Sequence, residues 1–396
     1  MVCRRRKPQV VLATGLLMLA GQTWAAGYQF SQLSVTGLAS AGAIVADPVS
    51  VGAVPYDPAL MAFHGGQHAL IDGVVVDSRL SVDGGQGGAA TSHAHMPRLV
   101  PDLDYFATGT RWSAGIGLDS PYGLEVDWPN GTFPGGGPYQ PLVTKLSVYD
   151  LHPMAAYRRG NFAVGLALDY MDVREWQQTT PAGGVQGDGT KPGYSAAIAY
   201  QHRGWTGGIR YRSAVTVQAT GSAGGLPATT PIVFPWSFQV GLRRQINLRW
   251  AAEADFERTG WDRLQSWNIF GPNGSVLAQA PVDWSNANTY RIGSSYDVGR
   301  GVHIRFGFAV DRSGASSVWT TAPPDPNRRV YSMGATQDMG PWKLDAGLSY
   351  AQFQTVTVAS SIPAGAYAGT LNGTNAYNGT YQQHTLMLGI GITRRF

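Results

Sequence analysis

The sequence predicts an all-β fold, a fourteen-stranded antiparallel transmembrane β-barrel with an N-terminal segment lodged in its lumen. Three observations predict it. The chain opens with a secretory leader, its later segments alternate apolar with small or polar residues, and its connections are alternately short and long.

The leader comes first. Arg4, Arg5, Arg6 and Lys7 form a positive start, Val10 to Ala20 is apolar, and Thr23-Trp24-Ala25 offers small side chains to a signal peptidase. Cleavage is expected between Ala25 and Ala26, making residues 1–25 a signal peptide. The apolar stretch is shorter than the ~20 residues a helical span needs. Cys3 leaves with the leader, so the mature chain has neither disulfide nor thiol chemistry. Four basic residues leave too. The 29 Lys+Arg of the precursor less these four equal its 25 Asp+Glu. The mature charge is therefore near zero, and nucleic acid is excluded as a partner read from basicity.

Only 14% of residues are charged, while Gly numbers 52 and Tyr 18. Soluble domains carry about 25% charge. Membrane barrels carry less, because outward apolar residues alternate with inward small or polar ones. Val302 to Asp311 has that period of two, with Val302, Ile304, Phe306, Phe308 and Val310 opposing His303, Arg305, Gly307, Ala309 and Asp311. Phe162–Asp169, Trp342–Tyr350 and Leu386–Ile392 repeat it.

Short links are expected near Gly109, Arg159-Gly160, Arg203-Gly204, Arg244-Gln245, Gly299-Arg300 and Met339-Gly340. Long polar loops are expected near 83–93, 125–142, 177–192, 219–231, 269–286, 312–327 and 359–380. Short periplasmic turns and long extracellular loops characterise outer-membrane barrels. Six turns and seven loops join fourteen strands with both ends periplasmic. Trp112, Trp205, Trp250 and Trp342 on the turn side, and Trp128, Trp176, Trp267 and Trp284 on the loop side, are expected to form two interfacial girdles. A terminal aromatic, Phe396, is expected to be read by the barrel-insertion machinery.

Residues 26–66 break the strand rhythm. Their mixed apolar content argues against a disordered tail and for a plug. The barrel proper is then 67–396.

Several blocks carry a resemblance. Ala26-Gly27-Tyr28-Gln29-Phe30, Gly42 to Pro48, Asp57-Pro58-Ala59, Pro121-Tyr122-Gly123-Leu124, Leu151 to Arg158, Tyr211-Arg212-Ser213, Thr289 to Gly293, Arg305 to Asp311 and Pro326-Asn327-Arg328 occur in order along nearly the whole mature chain. Together they resemble the FadL-type outer-membrane transporters of long-chain fatty acids and hydrocarbons. The resemblance implies an N-terminal hatch gated through Tyr28, Phe30, Asp57, Pro58 and Ala59. It implies passive uptake of hydrophobic compounds held in an apolar lumenal pocket. It also implies lateral release where the third strand kinks, at Pro121, Tyr122 and Gly123. Proline cannot donate a ladder bond, and glycine tolerates a bend.

Two departures stand out. Asp57 replaces the family's usual asparagine, and a carboxylate inside a barrel calls for a cationic partner. The basic residues that hold a fatty-acid carboxylate find no match, which points to a neutral ligand. The lumenal polar candidates are Asp169, His303, Arg305 and Asp311, with Lys343 and Asp345 beside them; structural pairing is the favoured reading of these. His93-Ala94-His95 lacks a third metal ligand and reads as solvated loop. With no nucleophile elbow, P-loop or Cys-x-x-Cys, no enzyme, cofactor or metal is expected. The expected partners are a hydrophobic small molecule, outer-membrane lipid and lipopolysaccharide around a monomer. A general diffusion porin is the alternative.

Overall fold

The computed structural model describes residues 27–396 except 86, 93–97, 136–141, 182, 316–324 and 360–376. The signal peptide and His93-Ala94-His95 therefore lie outside the described residues. The strands are β1 (Gly66–Gly85), β2 (Gly88–Thr91 with Arg98–Thr108), β3 (Trp112–Asp119 with Gly123–Asp127), β4 (Val143–Arg159), β5 (Phe162–Thr180), β6 (Gly183–His202), β7 (Trp205–Arg212 with Val215–Ala223) and β8 (Leu226–Phe234 with Ser237–Gln245). They continue with β9 (Trp250–Thr259 with Ser266–Phe270), β10 (Val276–Pro281 with Ala287–Gly299), β11 (Val302–Arg312), β12 (Arg328–Met339), β13 (Trp342–Phe353 with Val356–Val358) and β14 (Gly379–Arg395). Each pairs antiparallel with its predecessor. β14 closes the ring on β1, from His68 opposite Arg395 to Asp83 opposite Thr380. This is the fourteen-stranded barrel that the rhythm predicts.

Alternation follows the pleat. Leu386, Leu388, Ile390 and Ile392 are outward, while Met387, Gly389 and Gly391 are buried. Leu166 is 63% exposed and Ile390 70%, which is affordable only against lipid. His303, Arg305, Asp311, Asp169, Lys343 and Asp345 all stand on the inward register.

Four expectations are corrected. Segments 177–192 and 219–231 are not loops. The β5–β6 ladder runs on to Thr180 opposite Gly183, and the β7–β8 ladder to Ala223 opposite Leu226. Gly224 and Gly225, with φ of 58° and 84°, make the two-residue turn that a tight hairpin needs. Segment 269–286 likewise contains a hairpin, Ser266–Phe270 against Val276–Pro281. On the turn side, Gln245 is still strand, and Ile246 to Arg249 make the link.

The N-terminal residues run inside the ring. Helix α1 (Val35–Ala39) packs on β11 to β14, and the 3₁₀ turn Pro58–Phe63 packs on β4 and β5. Ser34 caps α1 by accepting from the Gly37 N–H at 3.0 Å, and the Gly42 N–H returns to the Gly37 carbonyl at 2.8 Å. Asp57 caps the second turn with Pro58 at its first position. The wall supplies acceptors for backbone that strands cannot reach. The Val35 N–H donates to Asp72, those of Ile44 and Val45 to Asp255, and that of Ala46 to Glu253. Close approach also demands glycine. A Cβ at Gly208 would lie 2.1 Å from the Val45 carbonyl oxygen, and one at Gly307 would lie 2.1 Å from the Ser40 carbonyl carbon.

Two outcomes follow. Gly208→Val forces the Val45 backbone off the wall and destabilises the seated segment by about 1–3 kcal/mol. Its conductance in planar bilayers should exceed wild type, and identical conductance and unfolding midpoint would refute the seating. The second concerns His64, whose ring lies 5.4 Å from that of His68 and 5.6 Å from that of Phe106. Burial there lowers its pKa to about 4, against ~6.5 in the unfolded chain. The unfolded chain takes the proton first on acidification. The stability contributed by the neutral ring is therefore complete above pH ~6.5 and is lost as pH falls toward 4, by up to about 3 kcal/mol. His64→Phe should flatten that pH slope in urea unfolding; equal slopes would count against it.

A candidate ligand site at the break in β3

The third strand is interrupted at Ser120-Pro121-Tyr122. Below the break Asp119 faces Asp150 on β4, and above it Gly123 faces Ser147. Three residues of β3 thus oppose two of β4, which is a β-bulge. On the other side the β2–β3 ladder ends at Leu103 opposite Leu118, although β2 reaches back to Arg98 and β3 on to Asp127. Higher up, the Asp127 N–H donates to Ser92 Oγ at 2.9 Å. Among the described residues, a window without ladder bonds lies between these two points.

The N-terminal strand fills the inner face of the break. The Phe30 N–H donates to the Pro121 carbonyl at 2.8 Å, and the Gly123 N–H donates to the Tyr28 carbonyl at 3.0 Å. Gln29 donates to Glu257 at 3.0 Å, and Glu257 in turn accepts from Arg291 at 2.5 Å. The Gly27 N–H donates to Asp325 at 2.6 Å. Sequence-predicted Tyr28, Phe30, Pro121, Tyr122 and Gly123 are thus brought together.

Around Tyr28 stand aromatics that sequence reading assigned elsewhere or missed. Its ring centroid lies 4.7 Å from Trp261, 6.0 Å from Trp267, 6.1 Å from Tyr122, 6.4 Å from Phe234 and 6.5 Å from Trp284. Trp176 stacks on Trp267 at 5.3 Å and 8°. The phenol of Tyr28 donates to the Val233 carbonyl, and burial raises its pKa well above the usual value. Gly27 has φ +68° and its Cβ would sit 2.5 Å from Trp261, so only glycine fits. This overturns the second girdle. Trp112 is 67% exposed on the outer face, as expected, but Trp176 is 6% exposed and Trp128 and Trp284 are buried. Spacing from the strand ends located the loop-side tryptophans, but not the direction in which they point.

Beside the break lies a cavity of about 440 Å³. Phe30, Val76, Leu80, Val100, Tyr122, Leu124, Val330, Phe353 and Met387 supply apolar lining. Its charged lining is Asp77, Glu125, Asp325 and Arg328. Each has a partner: Arg79 lies 3.7 Å from Asp77, Lys145 lies 3.5 Å from Glu125, Ser313 donates to Asp325, and Arg328 donates to Asp311 at 2.7 Å.

The other candidates sit apart. Asp57, Pro58 and Ala59 lie at the base of the segment, where Asp57 accepts from the Ala59 N–H at 2.9 Å. The cationic partner expected for Asp57 is absent among the described residues within 4.0 Å, and burial pushes its pKa well above the carboxylate range. Asp47 is the contrast. Burial raises it too, but Arg243, 3.5 Å away, and Arg305 bring its pKa below the ordinary value. Asp169 accepts from Ser195 at 2.7 Å, His303 faces Asp338 at 3.1 Å, and Arg305 donates to Thr336 at 2.5 Å. These are contacts within the wall. Asp311 does not line the cavity and is joined to it by Arg328.

A family model described as outer membrane protein transport protein (OMPP1/FadL/TodX) matches residues 16–396. Outer membrane protein P1 of Haemophilus influenzae is 25% identical, over 98% of this chain and 99% of its own. The long-chain fatty acid transport protein of Escherichia coli K12 is 23% identical, over 88% and 92%. In fold, a FadL homologue of Pseudomonas aeruginosa superposes with a TM-score of 0.81 at 17% identity, covering 94% of this chain and 100% of that one. The toluene transporter TodX of P. putida superposes with 0.66 at 15%, covering 95% and 99%. The chain therefore belongs to the OMPP1/FadL/TodX family of Gram-negative outer-membrane proteins, whose members are transport channels and not enzymes.

Proposed function

We propose that the chain mediates passive uptake of hydrophobic compounds. In this reading the cavity beside the β3 break holds the ligand, residues 26–66 act as a hatch, and release is lateral through the window. The observation that carries it is the pair of backbone bonds joining Tyr28 and Phe30 to Pro121 and Gly123. A ligand pressing on Phe30 and Tyr122 competes with the very segment that fills the opening. The names of the relatives, a fatty-acid transport protein and a toluene transporter, support the ligand class.

Partition provides the driving force. An aromatic ring buries roughly 150–250 Å², so at ~25 cal/mol per Å² its transfer from water gains about 4–6 kcal/mol. The lining favours a neutral molecule. A fatty-acid anion would meet Asp77, Glu125 and Asp325, and the single arginine already serves Asp311. A desolvated carboxylate without a cation is costly. Phe396, 58% exposed at the end of β14, is proposed as the handle for the insertion machinery.

In liposomes the protein should pass little glucose and should bind a C16 methyl ester at least tenfold more tightly than the C16 acid at pH 8, read by the fluorescence of Trp261, Trp267 and Trp284. Rapid glucose swelling without lipophile binding would instead favour the porin. Gly123→Trp tests the exit. A Cβ there meets nothing nearer than the Leu146 carbonyl oxygen at 3.8 Å, so folding should persist. Uptake should slow about tenfold, the equivalent of roughly 1.4 kcal/mol added to the barrier where the indole narrows the apolar path. Unchanged uptake would refute lateral release at this point.

A further inference from the structure

Directly below the window the barrel wall carries a second, polar site. Two cross-strand rows meet there. Asp104, Gly117 and His152 lie abreast on β2, β3 and β4, and Asp119 lies opposite Asp150 in the next row. Gly117 leaves the imidazole room to lie across β3; a Cβ there would be 2.2 Å from His152 Nε2 and 2.3 Å from Asp104 Oδ1. One ligand atom each of Asp119, Asp150 and His152 lie within 4.8 Å of one another, and all three residues are buried. Asp119 is 2% exposed and His152 5%.

The nearby arginines pair with only one carboxylate of this cluster among the described residues, Asp150. Arg212 binds Asp150 Oδ2 and lies 3.4 Å from Asp169, while Arg210 donates to Ser195 at 3.2 Å. Among the described residues, no lysine or arginine lies within 4.0 Å of Asp104 or Asp119. His152 Nε2, 3.7 Å from Asp104 Oδ1, is the nearest basic atom to that carboxylate. Among the described residues, Asp119 Oδ1, Asp150 Oδ1, His152 Nε2 and both oxygens of Asp104 have no hydrogen-bond partner. Buried carboxylates are retained when they are paired or when they coordinate a metal. A void of about 10 Å³, lined by Asp119, Asp150 and His152 and by Pro58 of the N-terminal segment, adjoins them.

We propose that Asp119, Asp150 and His152 bind a divalent transition-metal cation, with Asp104 as a further carboxylate beside it. One imidazole with carboxylates is a donor set for Zn²⁺ and its neighbours rather than for Mg²⁺ or Ca²⁺. Ligand bonds of about 2.0–2.2 Å place atoms on one ion within ~4.4 Å of each other, so small side-chain rotations complete the set. Asp150 can serve the ion through Oδ1 while Oδ2 keeps Arg212. The ion would tie β3 to β4 at the last paired residue before the bulge, fixing the lower edge of the window.

The test uses the mature barrel in detergent micelles, stripped by chelation and titrated with Co²⁺, followed by calorimetry and visible absorption. One equivalent should bind with Kd below ~10 µM, with d–d bands of a protein-bound ion. Asp119→Asn and His152→Gln should each weaken binding at least tenfold, while a His93→Ala, His95→Ala double variant should bind as wild type does. Zn²⁺ should raise the unfolding midpoint of the wild type and of the His93→Ala, His95→Ala double variant, but not of Asp119→Asn or His152→Gln. Absence of stoichiometric binding, retention in Asp119→Asn and His152→Gln, or loss in the loop double variant would each overturn the assignment. If His152→Gln does not fold, the isosteric Asp119→Asn decides.

Discussion

Everything inside this barrel depends on how irregular backbone is hydrogen-bonded where strands cannot reach it. The N–H groups of Val35, Ile44, Val45 and Ala46 find carboxylates of Asp72, Asp255 and Glu253 on the wall. An orphaned buried N–H costs about as much as a lost hydrogen bond. The wall therefore carries acids, although burial of an acid is itself unfavourable. Arg243 answers part of that cost by reaching both Glu253 and Asp47. Beside its apolar positions, the inward face therefore carries acids that accept from the segment and glycines that let its backbone close in. A porin lumen needs neither.

The same constraint explains the break in β3. Pro121 offers no N–H to a ladder, and β2, although it runs back to Arg98, makes no ladder bonds to the strand beyond Leu118. The freed Pro121 carbonyl and Gly123 N–H would be unsatisfied in a water-free wall. Residues 28–30 satisfy them from inside. A weak place in the wall and an N-terminal segment are thus one device, since either alone leaves backbone groups without partners.

Much of this was legible in the sequence, and the boundary of legibility is physical. Within the bilayer one face of every strand meets lipid, so Val302 to Asp311 shows its period at sight. Above the bilayer both faces are wet and the period vanishes. Residues 177–192, rich in Gly, Gln and Thr, therefore read as loop although they continue the ladder. Trp176 and Trp284 misled for a related reason: position along a strand says how high a residue stands, but inside or outside depends on parity, which bulges reset. Tyr28, Pro121 and Tyr122 were found through the resemblance, whereas Phe234 and Trp261 carry no local signal. The Asp104, Asp119, Asp150 and His152 cluster was illegible because its members come from three strands and meet only through register.

The vertical order of these features bears on the direction of transport under the proposed route. The aromatic cluster and the apolar cavity lie at and above the break, and the polar rows of Asp104, Asp119, Asp150 and His152 lie immediately below it. A lipophile descending the lumen gains from every ring it meets down to Tyr122 and would lose by going further, since desolvated carboxylates and guanidinium groups give it no contact worth their own dehydration. Under the proposed route, the layer that seats Pro58 and Ala59 therefore opposes further descent on energetic grounds. In that reading the remaining path is sideways, through the stretch of wall between Leu118 and Asp127 where, among the described residues, β2 makes no ladder bonds to β3. There, in that reading, the ligand exchanges one apolar surrounding for another without passing through water, and the step requires the two backbone bonds to Pro121 and Gly123 to be released together with the side-chain bonds of Tyr28 and Gln29.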